Sequence, residues 1–203
     1  MLKKLIAALS LLAALAGTAL AADVTPEVFV RTISTDVLEA VKADKTVQSG
    51  DIGPVSKLVD SKVMPNVNFE VVTRSAVGPQ WRSATPEQRA KLQAEFKLLL
   101  VRVYAGALSQ VSSEQTVEIT KTQAVQDGSQ VVVQSEVRGK GEPVKLDYRL
   151  DKTDAGWKII DVNVGGIWLV TSYRAQFAQE ISTGGIDGLI AKLTERNKAA
   201  ART

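Results

Sequence analysis

Residues 66–108 read NVNFEVVTRSAVGPQWRSATPEQRAKLQAEFKLLLVRVYAGAL, and the second half predicts the dominant helix of the chain. Thr85 is a good N-cap, because its hydroxyl can accept from the free N–H groups of the first turn, and Gln88 three residues on completes a capping box. Pro86 falls at the first helical position, where a missing N–H is no loss. Leu92, Phe96, Leu99, Leu100, Val103 and Ala107 recur at three- and four-residue steps as an apolar stripe, with Lys91, Glu95, Lys97 and Arg102 mostly off it. A helix over 86–108 would run roughly 34 Å, long enough for other elements to pack along it.

Just upstream, 69–76 predicts a short helix stopped by Gly78-Pro79. Arg74 and the pair Trp81-Arg82 carry two readings. In the first, Trp81 anchors the core beneath the long helix and the arginines bond carbonyls at helix ends. In the second, an arginine meets a phosphate, which its forked guanidinium suits. Further back, Thr25 caps a helix that has Pro26 at its first position and Val30, Ile33, Val37 and Val41 on one face, through about Asp44. Residues 48–54, with Gly50, Asp51, Gly53 and Pro54, read as a loop. Val55, Leu58, Val59, Val63 and Met64 predict a second helix ending near Pro65.

Beyond Leu108 the period changes. Val117 and Ile119 alternate with Glu118, Thr120 and Thr122, and Asp127-Gly128 signals a tight turn. Val131, Val133 and Val137 share one face of the next strand, over 130–138. Gly139-Lys140-Gly141 turns the chain into Val144, Leu146, Tyr148 and Leu150, which alternate with Lys145, Asp147 and Arg149. The charged set, continued by Asp151, reads as a solvated face with cross-strand pairing. Asp154-Ala155-Gly156 turns again into a strand over 157–164 that is apolar on both faces. Residues 167–180 read as a helix, Gly184-Gly185 as a hinge or cap, and Ile186, Leu189, Ile190 and Leu193 as the last helix. Turns this short make neighbouring strands antiparallel. Helices, then a four-stranded meander, then helices, predict an α+β fold: a curved antiparallel sheet with helices packed on one face, similar to the NTF2-like cone, which can enclose an apolar cavity.

The chain opens with Lys3 and Lys4 before an apolar run to Leu20, too short to span a membrane comfortably. Ala19-Leu20-Ala21 gives the small-x-small pattern of a cleavage site, so 1–21 is expected to be a signal peptide cut before Ala22, leaving 22–203 as one domain. The alternative is an uncleaved anchor. No Cys follows, which excludes lipoprotein processing. Losing Lys3 and Lys4 brings the net charge from +3 to +1, and with no basic tract interleaved with aromatics the chain carries no nucleic-acid footprint.

Histidine is absent, as is cysteine. That excludes Ser-His-Asp and Cys-His catalysis, histidine acid–base chemistry and almost all zinc sites. No P-loop, G-x-S-x-G, S-x-x-K or dinucleotide fingerprint is present either. The residues therefore predict no catalytic site, no metal site and no cofactor.

A set of blocks resembles the MlaC family of periplasmic phospholipid carriers, also called the toluene-tolerance Ttg2 family. NFEVVTR, G-x-x-W-R, TPEQ, F-x-x-LL and Y-x-x-x-L come in order within 68–108. Tyr148-Arg149-Leu150, Gly156-Trp157-Lys158-Ile159, Asp161-Val162, Tyr173-Arg174 and Gln176-Phe177 follow, then Gly188-Leu189-Ile190 with Leu193 and Asn197. The resemblance implies a diacyl phospholipid as bound ligand. It also implies docking to an inner-membrane ABC transporter through its MCE-domain subunit and to an outer-membrane lipoprotein–porin complex, in the service of outer-membrane lipid asymmetry.

On this reading the inward set lines the lipid site: Phe96, Leu99, Leu100, Val103 and Tyr104 from the long helix, and Val131, Val133, Val137, Val144, Leu146, Tyr148 and Val162 from the strands. Arg74 and Arg82 are the headgroup candidates. Phe, Trp and Tyr total only 10 residues, so the interior is mostly aliphatic and suits acyl chains. Two alternatives stand beside the carrier. One is an NTF2-like enzyme using an inward carboxylate or tyrosine, with Tyr104 and Tyr148 as its inward candidates. The other is a periplasmic interaction module with a fully packed core.

Overall fold

The computed structural model describes residues 24–125 and 128–199. The predicted signal peptide and Asp127 of the predicted turn lie outside these. Three N-terminal helices, α1 (Pro26–Ala43), α2 (Lys45–Gln48) and α3 (Ile52–Leu58), lead into a π-helical turn, Val59–Val63, and a 3₁₀ turn, Met64–Asn66. Then come α4 (Phe69–Val77), a 3₁₀ turn Gly78–Ser83, α5 (Pro86–Ala105) and a 3₁₀ turn Gly106–Gln110. Strands β1 (Thr116–Val125), β2 (Gln130–Arg138), β3 (Val144–Thr153), β4 (Gly156–Val164) and β5 (Ile167–Trp168) pair antiparallel in sequential order. The last element, α6 (Leu169–Ala199), is broken at Gly185, whose φ of 65° and ψ of −163° are non-helical.

The capping chemistry of α5 forms as its sequence predicts. Gln88 N–H donates to Thr85 Oγ1 at 3.2 Å and Thr85 N–H to Gln88 Oε1 at 2.9 Å. The helix is shorter than expected, tightening to 3₁₀ at Gly106. The expected loop 48–54 is instead largely helical. Asp44 caps α2 through Oδ1, and Asp51 Oδ1 accepts from Gly53 N–H to start α3, so Gly53 and Pro54 fall in a first turn that tolerates both. Gly50 between them has φ 81°, and a Cβ there would meet the Ala105 carbonyl oxygen at 2.9 Å. The loop thus presses on the end of α5, which only glycine permits.

The sheet has five strands rather than four. Ile167 and Trp168, expected to open the helix over 167–180, pair with Val164 and Asn163 before α6 begins. Two bulges shift the alternation. Thr120 is the extra residue of β1, so Thr122 joins Val117 and Ile119 on the half-buried side instead of opposing them. Ile160 is the extra residue of β4, between the pairs Leu150–Ile159 and Arg149–Asp161.

Three apolar clusters hold these elements. Phe96 stacks edge-on against Tyr173 and Phe177, at 5.0 and 5.1 Å, joining α4, α5 and α6. Trp81 is 4% exposed within the same cluster. Val30 of α1 packs on Val131, Val133, Leu150 and Ile159 of the sheet. Val41, Val47, Val55, Val101 and Ala105 form the third cluster, between the N-terminal helices and α5.

Candidate functional site

The three clusters do not close on one another. Where they meet lies a cavity of about 270 Å³. Phe96 and Val72 come from the first cluster, Ile159 from the second, and Val41, Val55, Val101 and Ala105 from the third. The remaining apolar wall is Val37, Leu58, Val59, Val63, Met64, Val67, Phe69, Leu100, Leu108, Val162 and Leu169, with polar atoms brought only by Lys97, Tyr104 and Asp161. A wall of this kind binds apolar chains without directional contacts, and its volume lies near the lower bound of roughly 300 Å³ for ligand pockets. The chain from Val59 to Asn66 forms one side of it with no residue fully buried. That side is pinned at its far end, where Asn68 N–H donates to Ile159 O at 2.9 Å and Lys158 Nζ to Pro65 O at 2.7 Å.

Of the expected lining set, the structure brings Phe96, Leu100, Tyr104 and Val162 to this cavity. The others lie elsewhere. Leu99 is buried among the α4–α5–α6 contacts. Val103 is 54% exposed, because at 3.6 residues per turn it sits more than a quarter-turn from Tyr104 and Lys97, which face the cavity. Val131 and Val133 pack under α1, and Tyr148 beside them receives a hydrogen bond from Ser34 Oγ at 3.1 Å. α1 therefore fills the space that alternation on β2 and β3 predicted as open. Leu146 and Val137 are half-buried, and Val144 is 47% exposed toward the β2–β3 turn. Arg74 and Arg82 are exposed and outside the cavity wall, while the Arg82 and Trp81 carbonyls accept from Arg89.

Much of the wall comes from the N-terminal segment 37–67, whose sequence reads as two ordinary amphipathic helices joined by a loop over 48–54. The signal was present: Val37, Val41, Val55, Leu58, Val59 and Val63 repeat at helical steps with no bulky aromatic to fill the space between them. Lys97 was missed because it breaks the apolar stripe, although it stands three residues before Leu100 and seven before Tyr104 on the cavity side.

Two ionisable side chains could bear on chemistry. Asp161 is 4% exposed, and its Oδ1 accepts from Val162 N–H at 2.9 Å and Val170 N–H at 3.0 Å. Burial pushes its pKa up, and the two N–H groups and the Arg149 charge oppose that shift. The carboxylate thus serves as a remote cap for the first turn of α6. Tyr104 has its pKa raised by burial. Among the described residues no group of acidic side chains could hold a metal ion, and no helix is long and apolar enough to cross a membrane.

The family model MlaC protein matches residues 31–195. Toluene tolerance protein Ttg2D of Pseudomonas putida is 29% identical over 185 residues, spanning 87% of this chain and 85% of that one. The intermembrane phospholipid transport system binding protein MlaC of Haemophilus influenzae is 24% identical over 178 residues, spanning 86% and 83%. A solved structure of the phospholipid-binding protein from Ralstonia solanacearum, in complex with a phospholipid, superposes with a TM-score of 0.82 at 44% identity, covering 89% of this chain and 99% of that one. A family match over most of the chain, joined to that shared fold, places this protein in the MlaC family.

Proposed function

We propose that this protein is a phospholipid carrier that takes acyl chains into the cavity between α1, α3, α4, α5 and β4, and moves lipid between the inner and outer membranes. The observation that carries the reading is an almost wholly apolar cavity in a chain 44% identical to a phospholipid-bound relative. A carrier is needed because exposing an acyl chain to water costs about 0.8 kcal/mol per CH₂, so a chain of about fifteen methylenes costs roughly 12 kcal/mol. A wall as apolar as a bilayer makes transfer nearly isoenergetic, and a headgroup left wet at the mouth avoids burying its charge.

The protein acts without catalysis on this reading. The wall carboxylate nearest to what an enzyme would use, Asp161, is engaged by two backbone N–H groups. Export to the periplasm by the 1–21 leader follows from Lys3, Lys4 and Ala19-Leu20-Ala21. The family resemblance supplies the partners: an ABC transporter with an MCE-domain subunit at the inner membrane, and a lipoprotein–porin complex at the outer. A vesicle assay tests the carrier reading. Delipidated protein should speed transfer of a labelled phospholipid from donor to acceptor vesicles in proportion to its concentration, whereas an unchanged spontaneous rate would refute the proposal.

A further inference from the structure

Lys97 is the one cation in the wall of the cavity among the described residues. Its stem lies along the apolar lining, and its ammonium, on a side chain 33% exposed, reaches the rim. There it meets Asp60 Oδ1 at 2.6 Å. Asp60 belongs to the π-helical turn on the opposite side, and its side chain is 53% exposed. A cation thus stands where a cavity for acyl chains opens to water, paired with a carboxylate that can leave for solvent at small cost, since exposed ion pairs are weak.

We propose that Lys97 binds the phosphate of the lipid headgroup and that Asp60 is its stand-in, holding the ammonium at the rim until a phosphate displaces it. The proposal rests on the carrier reading and deepens it. In a glycerophospholipid the phosphate sits one glycerol unit above the acyl chains. Chains seated against Leu100 and Tyr104 with the headgroup toward the exposed Asp60 put it at the level of the preceding turn of α5, where Lys97 lies. A phosphate oxygen is as good a partner for the ammonium as a carboxylate oxygen. Exchanging one anion for the other leaves the cation paired in both states. Release of Asp60 removes the ion pair between the Val59–Val63 turn and α5, leaving Val59 packed on the Val101–Ala105 cluster, on the wall that has to move if two chains are to enter a cavity of about 270 Å³. Arg74 and Arg82, the arginines first suggested by the sequence, do not reach this rim.

The test compares two lipids with identical chains, phosphatidylglycerol and diacylglycerol, binding to delipidated protein at low salt. The wild type should prefer the phosphate-bearing lipid. Lys97→Gln should weaken phosphatidylglycerol about tenfold more than it weakens diacylglycerol, while Lys97→Arg keeps the preference. Asp60→Asn should tighten phosphatidylglycerol a few-fold without affecting diacylglycerol, a gain that no folding defect can mimic. Lys97→Gln protein that keeps the full wild-type preference would overturn the proposal. Inorganic phosphate binding as tightly as the lipid would also overturn it, in favour of a free-anion site. A wild type that binds neither lipid would bring down the carrier reading beneath it.

Discussion

The Asp161 carboxylate and the Val170 N–H meet at 3.0 Å, fastening the cavity wall on β4 to the first turn of α6. Because burial raises the Asp161 pKa, the folded protein holds this proton to higher pH than the unfolded chain does. The protein therefore loses stability as pH rises through the folded pKa, and regains it on acidification toward the unfolded value of about 3.9. Asp161→Asn removes this step and keeps an acceptor oxygen. Urea unfolding from about pH 4 to about pH 7 should show the wild type losing stability relative to the variant as pH rises. A gap that does not change with pH would argue against it. Asp161→Ala leaves two part-buried N–H groups without this acceptor and should cost about 1–3 kcal/mol in all.

Trp81 ties the 3₁₀ turn before Thr85 to the core. It is 4% exposed, with the Arg89 guanidinium 5.4 Å from its ring centre and Arg89 Nε donating to its carbonyl. Trp81→Ala should cost about 3–5 kcal/mol in denaturant unfolding. A loss below about 1 kcal/mol would show that the ring is not held by the core.

A pair of tryptophan substitutions separates core from cavity. Val133 is fully buried under α1, so Val133→Trp overpacks and should destabilise by roughly 1–3 kcal/mol or more, with lipid content per folded molecule unchanged. Leu100 faces the cavity, so in Leu100→Trp the indole enters free space. The fold should survive and the lipid content fall. The comparison needs delipidated protein for the melting measurement, because bound lipid raises apparent stability by mass action. The reverse pattern would move the site onto the sheet.

The fold was legible where local chemistry decides it: the Thr85–Gln88 box, the strand alternation of β2 and the break at Gly185 all stand in the sequence. The site was legible only in part, because it is set by how three clusters fail to meet. Alternation correctly put Val131 and Val133 on an inward face, but no periodicity says that α1 fills that face while leaving a gap further along, at Val37 and Val41. The bulges at Thr120 and Ile160 are likewise invisible to a two-residue period.

Export has its own check. The leader predicts a mature protein beginning at Ala22. N-terminal sequencing of protein recovered from the periplasm should start ADVTPE, and a retained Met1 would show an anchor instead.

The central claim is that the cavity among α1, α3, α4, α5 and β4 holds phospholipid. Native mass spectrometry of freshly purified mature protein reads this directly. The account predicts bound species heavier than the chain by the masses of diacyl phospholipids, present in the wild type and depleted in Leu100→Trp. A spectrum of bare protein alone, from a sample whose melting temperature does not rise when phospholipid is added back, would contradict it.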